Sequence, residues 1–275
     1  MVGVVVYTNE SNLPILELFL QYFFKYNPKF PYSVYVVSNN FTTSNLPYQD
    51  KITYLSGNVE WHSRGGHFSQ TLSNVLPQIE EDYIFYFCED YILNDSIDIE
   101  ALENLLRLMQ DKNIDMFSFA SSYPITNNFR PLVEIDDTEY NFQPNTFYQT
   151  NNQYVHAYSV QPCIWKKSSL QQLLADNPQA SLHDMDNSIL NNKDNYKIVC
   201  TNYKIYDGCC PPEYFIIEYV EIVRHGVFLM ALNGHDHMEY TYQDKFLRKL
   251  INENQLYNKP EYDKYMGFDK SLVIW

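Results

Sequence analysis

Glycine is scarce, eight in 275 residues. No G-x-G-x-x-G follows the first apolar run, which disfavours a dinucleotide-dependent oxidoreductase. A G-x-x-x-x-G-K-[ST] loop, a G-x-S-x-G elbow and an H-E-x-x-H pair are also missing. Their absence argues against a P-loop nucleotide site, a serine hydrolase and a zinc protease. The five cysteines are odd in number and lack metal-ligand spacing, and Cys209-Cys210 is a vicinal pair. Reduced, mostly structural thiols in a cytosolic compartment are expected. Basic residues are few: 19 Lys and Arg face 34 Asp and Glu, a net charge of -15. A nucleic-acid surface would need clustered cations, so no nucleic-acid partner is expected. No apolar run is long enough to span a bilayer. The start, Met1 to Tyr7, lacks a basic segment and reads as a strand rather than a signal peptide. The expected location is the cytoplasm, or the host cytoplasm for a viral chain.

What is present is an alternation of strand and helix. Val2 to Tyr7 is a continuous apolar run, as in a strand covered on both faces. Thr8 to Asn12 is a polar turn in which Ser11 or Asn12 can cap a helix. Leu13, Leu16, Leu20 and Phe23 or Phe24 recur at helical spacing through Tyr26. Ser33 to Val37 and Ile52 to Leu55 read as strands. Phe68, Leu72, Val75 and Ile79 mark a helix that Pro77 kinks or ends. Tyr83 to Phe87 is an unbroken apolar and aromatic run, the mark of a central strand. A helix over Ile99 to Met109 and a strand over Asp115 to Ala120 follow. The segment from Ser121 to Tyr154 is irregular and reads as active-site loops or a small antiparallel patch. Tyr158 to Trp165 reads as a strand, Ser168 as the cap of the next helix, and Asp186 to Asn192 as a short helix. Tyr196 to Cys200 and Tyr214 to Val223 are further apolar stretches, and Phe246, Leu247 and Leu250 suggest a late helix. This order predicts an α/β fold with an open, mostly parallel sheet and helices on both faces. No linker divides the chain, so residues 1–275 form one domain in two halves, 1–120 and 121–275.

Glu89 and Asp90 follow the central apolar run. The C-terminal end of such a strand opens into the crevice where open α/β folds bind ligands. Carboxylates there are hard ligands for Mg²⁺ or Mn²⁺, which usually share their shell with water and substrate phosphates. The plainer alternative is a solvated turn after a strand.

The segment Tyr83 to Leu93, YIFYFCEDYIL, resembles the strand and acidic segment of GT-A glycosyltransferases, which carries their metal-binding DxD or its variants. Several bacterial and viral members have an E-D-Y or D-D-Y form. VVVYTNESNLPILELFLQYFF resembles the first strand, turn and helix of these Rossmann-like enzymes. QPCIWKKSSLQQLL, Gln161 to Leu174, resembles their acceptor-side strand and helix. The likeness runs to about Val227. It implies a transferase that moves a sugar from a UDP- or GDP-sugar donor to a saccharide acceptor with Mn²⁺ or Mg²⁺. Residues 1–120 would bind the nucleotide-sugar and 121–275 the acceptor. Tyr91 departs from a strict DxD, so the resemblance makes Asp90 the principal metal ligand and Glu89 an auxiliary group, and it leaves a metal-independent enzyme open.

The same resemblance puts Thr8, Asn9 and Glu10 at the nucleotide base and ribose, with Ser38 or Asn39 adding a base contact. Trp61 and Arg64 lie in W-H-S-R-G-G-H, placed beside the donor; Arg64 can grip a diphosphate with two parallel hydrogen bonds. Asp184 and Asp186 are candidates for the general base of an inverting reaction, although either could simply cap a short helix. His225 is the histidine best placed to complete the metal shell, with His235-Asp236-His237 as rival. TNESN lacks the Gly-rich, Arg-bearing loop expected of a sugar-nucleotide pyrophosphorylase. A non-catalytic nucleotide- or carbohydrate-binding module and a two-carboxylate glycosidase are the competing readings.

Overall fold

The computed structural model describes residues 1–39, 47–59, 67–119, 133–136, 138–142, 147–149, 158, 161–201, 209–210, 216–224, 227–228 and 241–266. β1 (Val2–Thr8) leads through a 3₁₀ turn into α1 (Leu13–Tyr26), then β2 (Val34–Ser38) and β3 (Thr53–Ser56). α2 (His67–Val75) gives way at Pro77 to a 3₁₀ turn, Leu76–Gln78, so the proline ends the regular helix. β4 (Tyr83–Cys88), β5 (Tyr91–Leu93), α3 (Ile99–Asp111) and β6 (Met116–Ser118) follow. Within the stretch expected to be irregular lie β7 (Val133–Glu134) and β8 (Phe147–Gln149). The chain continues with β9 (Cys163–Lys166), α4 (Lys167–Asp176), α5 (Leu182–Asp186), β10 (Ile198–Thr201), β11 (Cys209–Cys210) and β12 (Tyr219–Glu221). Further along lie α6 (Thr241–Glu253) and a 3₁₀ segment, Pro260–Tyr265.

Nine strands form the main sheet in the order β3-β2-β1-β4-β9-β6-β10-β8-β7. Seven of them point one way, and β9 and β8 oppose the rest. The expected class, a mostly parallel sheet with helices on both faces, is the one present. Adjacent residues of β4 show the two faces directly. Phe87 packs edge-on against Phe19 of α1 at 5.6 Å, and Tyr86 against Phe68 of α2 at 6.1 Å. Successive strand side chains point to opposite faces, so α1 and α2 cover opposite sides. The apolar side chains of β1 and β4 are nearly all buried, which accounts for their unbroken hydrophobic runs. A second, three-stranded sheet, β11-β12-β5, is antiparallel.

Three local expectations are corrected. Ser168 does not cap α4, because the helix starts at Lys167 directly from β9, with Lys166 at the cap position. The short helix expected over Asp186 to Asn192 lies earlier, at Leu182–Asp186, capped by Ser181. The strand expected from Tyr158 is regular only over Cys163–Lys166. Among the described cysteines, Cys88, Cys163 and Cys200 are free and buried. No helix among the described residues is long and apolar enough to cross a membrane.

Candidate active site

The connection leaving β1 goes to β2 on one side, whereas the chain leaving β4 goes toward β6 on the other. The C-terminal ends of β1 and β4 therefore flank a topological switch point, the place where open α/β sheets hold ligands. Thr8 ends β1 fully buried and in register with Ser38 at the end of β2. Asn39 follows, also buried, its carbonyl accepting from Val59 N at 2.9 Å. Asn9 is half-buried and accepts from the Ser11 hydroxyl, and Glu10 is exposed. These four expected contacts thus sit on the ends of neighbouring parallel strands and the turn beyond them.

Glu89 and Asp90 form the turn between β4 and β5. Glu89 is buried, and its Oε1 accepts from Asn12 Nδ2 at 2.5 Å. Burial pushes its carboxyl up to about 7, against smaller opposing effects of its hydrogen bonds to backbone and to Asn12. Asp90 is half-buried, and its carbonyl accepts from Ile222 N at 2.9 Å, just after β12. The small sheet thereby fixes the backbone of the acidic turn. Tyr91 begins β5 with its ring in the core, edge-on to Tyr219 at 5.7 Å. Position 91 is a packing position.

Asn12 has a different role from the one expected. It occupies the cap position of α1, but its side chain makes no capping bond and reaches across to Glu89. Tyr7, half-buried at the end of β1, packs edge-on to Phe68 at 5.1 Å. Burial, then Cys88 and Glu89, push its phenol well up. Neither Tyr7 nor the role of Asn12 was legible as site chemistry. One sits inside an apolar strand run, and the other matches a common capping pattern.

Asp184 lies on the α2 side of the sheet. Residues near it are tied to the first turn of α2, where Ser69 N donates to Ala180 O at 3.2 Å and Ser69 Oγ to Asn177 O at 2.7 Å. Asp184 Oδ2 accepts from Ser181 N at 2.8 Å and from Ser181 Oγ at 2.7 Å, closing a capping box. These bonds hold its carboxyl below the usual range. Asp186 ends the same helix. Trp61, Arg64, His225 and the His235-Asp236-His237 cluster lie outside the described residues.

Among the described residues no group of three or more His, Cys, Asp or Glu is arranged to hold a metal ion. The acidic turn fits the other mode of Mg²⁺ and Mn²⁺ binding, one or two carboxylates with phosphate and water completing the shell. A cavity of about 330 Å³ lies elsewhere, between the start of α3 and Phe117, Phe119 and Phe147. Neither Glu89 nor Asp90 lines it, so the site is assigned from the strand ends and their carboxylates.

No family model and no curated protein matches the sequence. Solved structures do. TarS 1-349 of S. aureus in complex with UDP-GlcNAc shares 16% identity, over 98% of this chain and 74% of that one, with a TM-score of 0.45. The mannosyltransferase PcManGT of Pyrobaculum calidifontis, in complex with GDP-Man and Mn²⁺, shares 12%, over 96% and 67%, with a TM-score of 0.43. UTP-bound UGPase of Acinetobacter baumannii shares 10%, over 73% and 86%, with a TM-score of 0.45. Likeness at this level says nothing of activity, which has to be argued from the site.

Proposed function

We propose that the protein is a glycosyltransferase that moves a sugar from a UDP- or GDP-sugar to a saccharide or glycan acceptor. The observation that carries this reading is the acidic turn Glu89-Asp90 at the C-terminal end of β4, beside the end of β1 and bonded to Asn12. An acidic crevice receives a diphosphate most readily with a cation between them. Asp90 is the residue that would hold Mn²⁺ or Mg²⁺, with Glu89 behind it and His225 as the candidate to complete the shell. When bound, the metal supplies stabilisation of the charge that develops on the leaving diphosphate.

The chain's own residues do the rest. Thr8, Asn9, Glu10 and Asn39 line the base and ribose end of the crevice. Trp61 and Arg64 act on the donor, Arg64 at the diphosphate. Glu89 accepts a hydrogen bond from the ribose or from an intervening water. Asp186 takes the proton from the acceptor hydroxyl in an inverting displacement. Asp184 is the weaker candidate, because its carboxylate is already engaged by Ser181.

Equilibrium binding of a panel of UDP- and GDP-sugars, with and without Mn²⁺, tests this reading. One donor should bind in a Mn²⁺-dependent way, and Asp90→Ala should weaken it at least tenfold and stop donor hydrolysis. Full activity in Asp90→Ala would sink the metal assignment. Undiminished donor binding without turnover would leave a binding module instead.

A further inference from the structure

The 3₁₀ segment Pro260–Tyr265 lies against the turn that follows β1, although some 250 positions separate them in sequence. Tyr262 and Tyr265 are both buried. Tyr262 donates from its hydroxyl to Pro14 O at 2.7 Å. The Tyr265 hydroxyl lies 3.0 Å from Ser11 O and 3.3 Å from Asn12 Oδ1. Ser11 O also accepts from the Lys264 ammonium. The single phenol proton is shared between Ser11 O and Asn12 Oδ1, the Ser11 contact being the shorter. Ser11 Oγ lies 3.4 Å from the same amide oxygen.

These contacts fix which way the Asn12 amide faces. Its oxygen lies within reach of the Tyr265 phenol proton, the Ser11 hydroxyl being given to Asn9 Oδ1, and its NH₂ meets the Glu89 carboxylate at 2.5 Å. The flipped amide would set its oxygen against the Glu89 carboxylate, two acceptors facing each other, and would give up the phenol as a donor. A chain of polar contacts thus runs from the C-terminal segment through the first turn to the acidic pair.

We propose that Tyr265 is a positioning residue for the donor crevice: its hydroxyl orients the Asn12 amide, which in turn aims Glu89. Asn12 is the intermediary, and neither residue needs to touch the reacting atoms. The inference rests on the transferase reading for its functional meaning, but the contact chain itself does not.

A double-mutant cycle tests it. Tyr265→Phe keeps the buried ring and removes only the hydroxyl. Donor affinity in the presence of Mn²⁺ should fall about three- to tenfold, the range for one lost hydrogen bond. In an Asn12→Ala background the same change should have no further effect, because the intermediary is gone. Tyr262→Phe, which loses a bond to a backbone carbonyl, should add independently to Asn12→Ala. Equal effects of Tyr265→Phe in both backgrounds, or none in either, overturn the proposal. If the wild-type protein binds no nucleotide-sugar, the transferase reading fails on its own, and the cycle is read on urea unfolding. Non-additivity between Tyr265→Phe and Asn12→Ala must then appear in the unfolding midpoint, and additivity there overturns the positioning chain.

Discussion

Glu89 carries a cost that the rest of the fold has to offset. Its carboxyl titrates near 7 in the folded protein against an ordinary value of 4.5. Between those values the native state holds a proton that the unfolded chain has lost, so this group lowers stability as pH rises through the window. Glu89→Gln keeps an acceptor for Asn12 and cannot ionise. The variant should match the wild type at pH 4.5 and exceed it at pH 8, by up to about 3 kcal/mol, in urea unfolding at the two pH values. A gain that does not depend on pH would show that burial of the charge is not the cause. The same variant should bind a nucleotide-sugar less well. Asp184 is the opposite case, a carboxylate satisfied by its own helix start. Ser181→Ala should cost about 1 kcal/mol at pH 7, measured by the same unfolding experiment, because it removes a hydroxyl that bonds both the Asp184 carboxylate and its backbone N–H.

At the scale of elements, legibility followed burial and repetition. β1 and β4 are covered on both faces, so nearly every position is apolar, and their spans were readable within a residue. α1 has enough turns for its periodicity to show, and Asn27 ends it by bonding back to Phe23 O. The short elements were less legible for a physical reason. A five-residue helix such as α5 has too few turns for a period, and its three polar residues offer several plausible caps. The start of α4 was misplaced because Ser168 matches a cap, while the chain passes from strand to helix at Lys167 with no intervening turn. In the site, the acidic pair was visible because an apolar run points to it. Its support was not: β12 holds the Asp90 carbonyl through Ile222, and Tyr265 reaches Asn12. These are contacts between distant segments, and no local pattern encodes them.

Across the whole molecule, the direction of β9 was the largest fact missing from the sequence, since a strand looks the same read parallel or antiparallel. It lies between β4 and β6, pairing with Tyr83–Tyr86 on one edge and Met116–Ser118 on the other. Those two strands are not neighbours in the sheet, so β9 is the seam between its two parts. That seam sets an order of assembly. β1 to β4 can pair as soon as they exist, but the open edge of β4 waits until the chain has passed through α3, β6, β7 and β8. Such a long-range strand closure is slow and leaves an apolar edge unpaired in the meantime. Trp165, buried in β9 and stacked on Tyr158 at 6.0 Å, can report the event. With Trp61 and Trp275 changed to Phe, its fluorescence should become native only after most of the helical circular dichroism has returned on refolding. Simultaneous recovery of both signals would place the seam in the folding nucleus. A delay would mark out a sticky intermediate, the form most exposed to aggregation while the protein is being made.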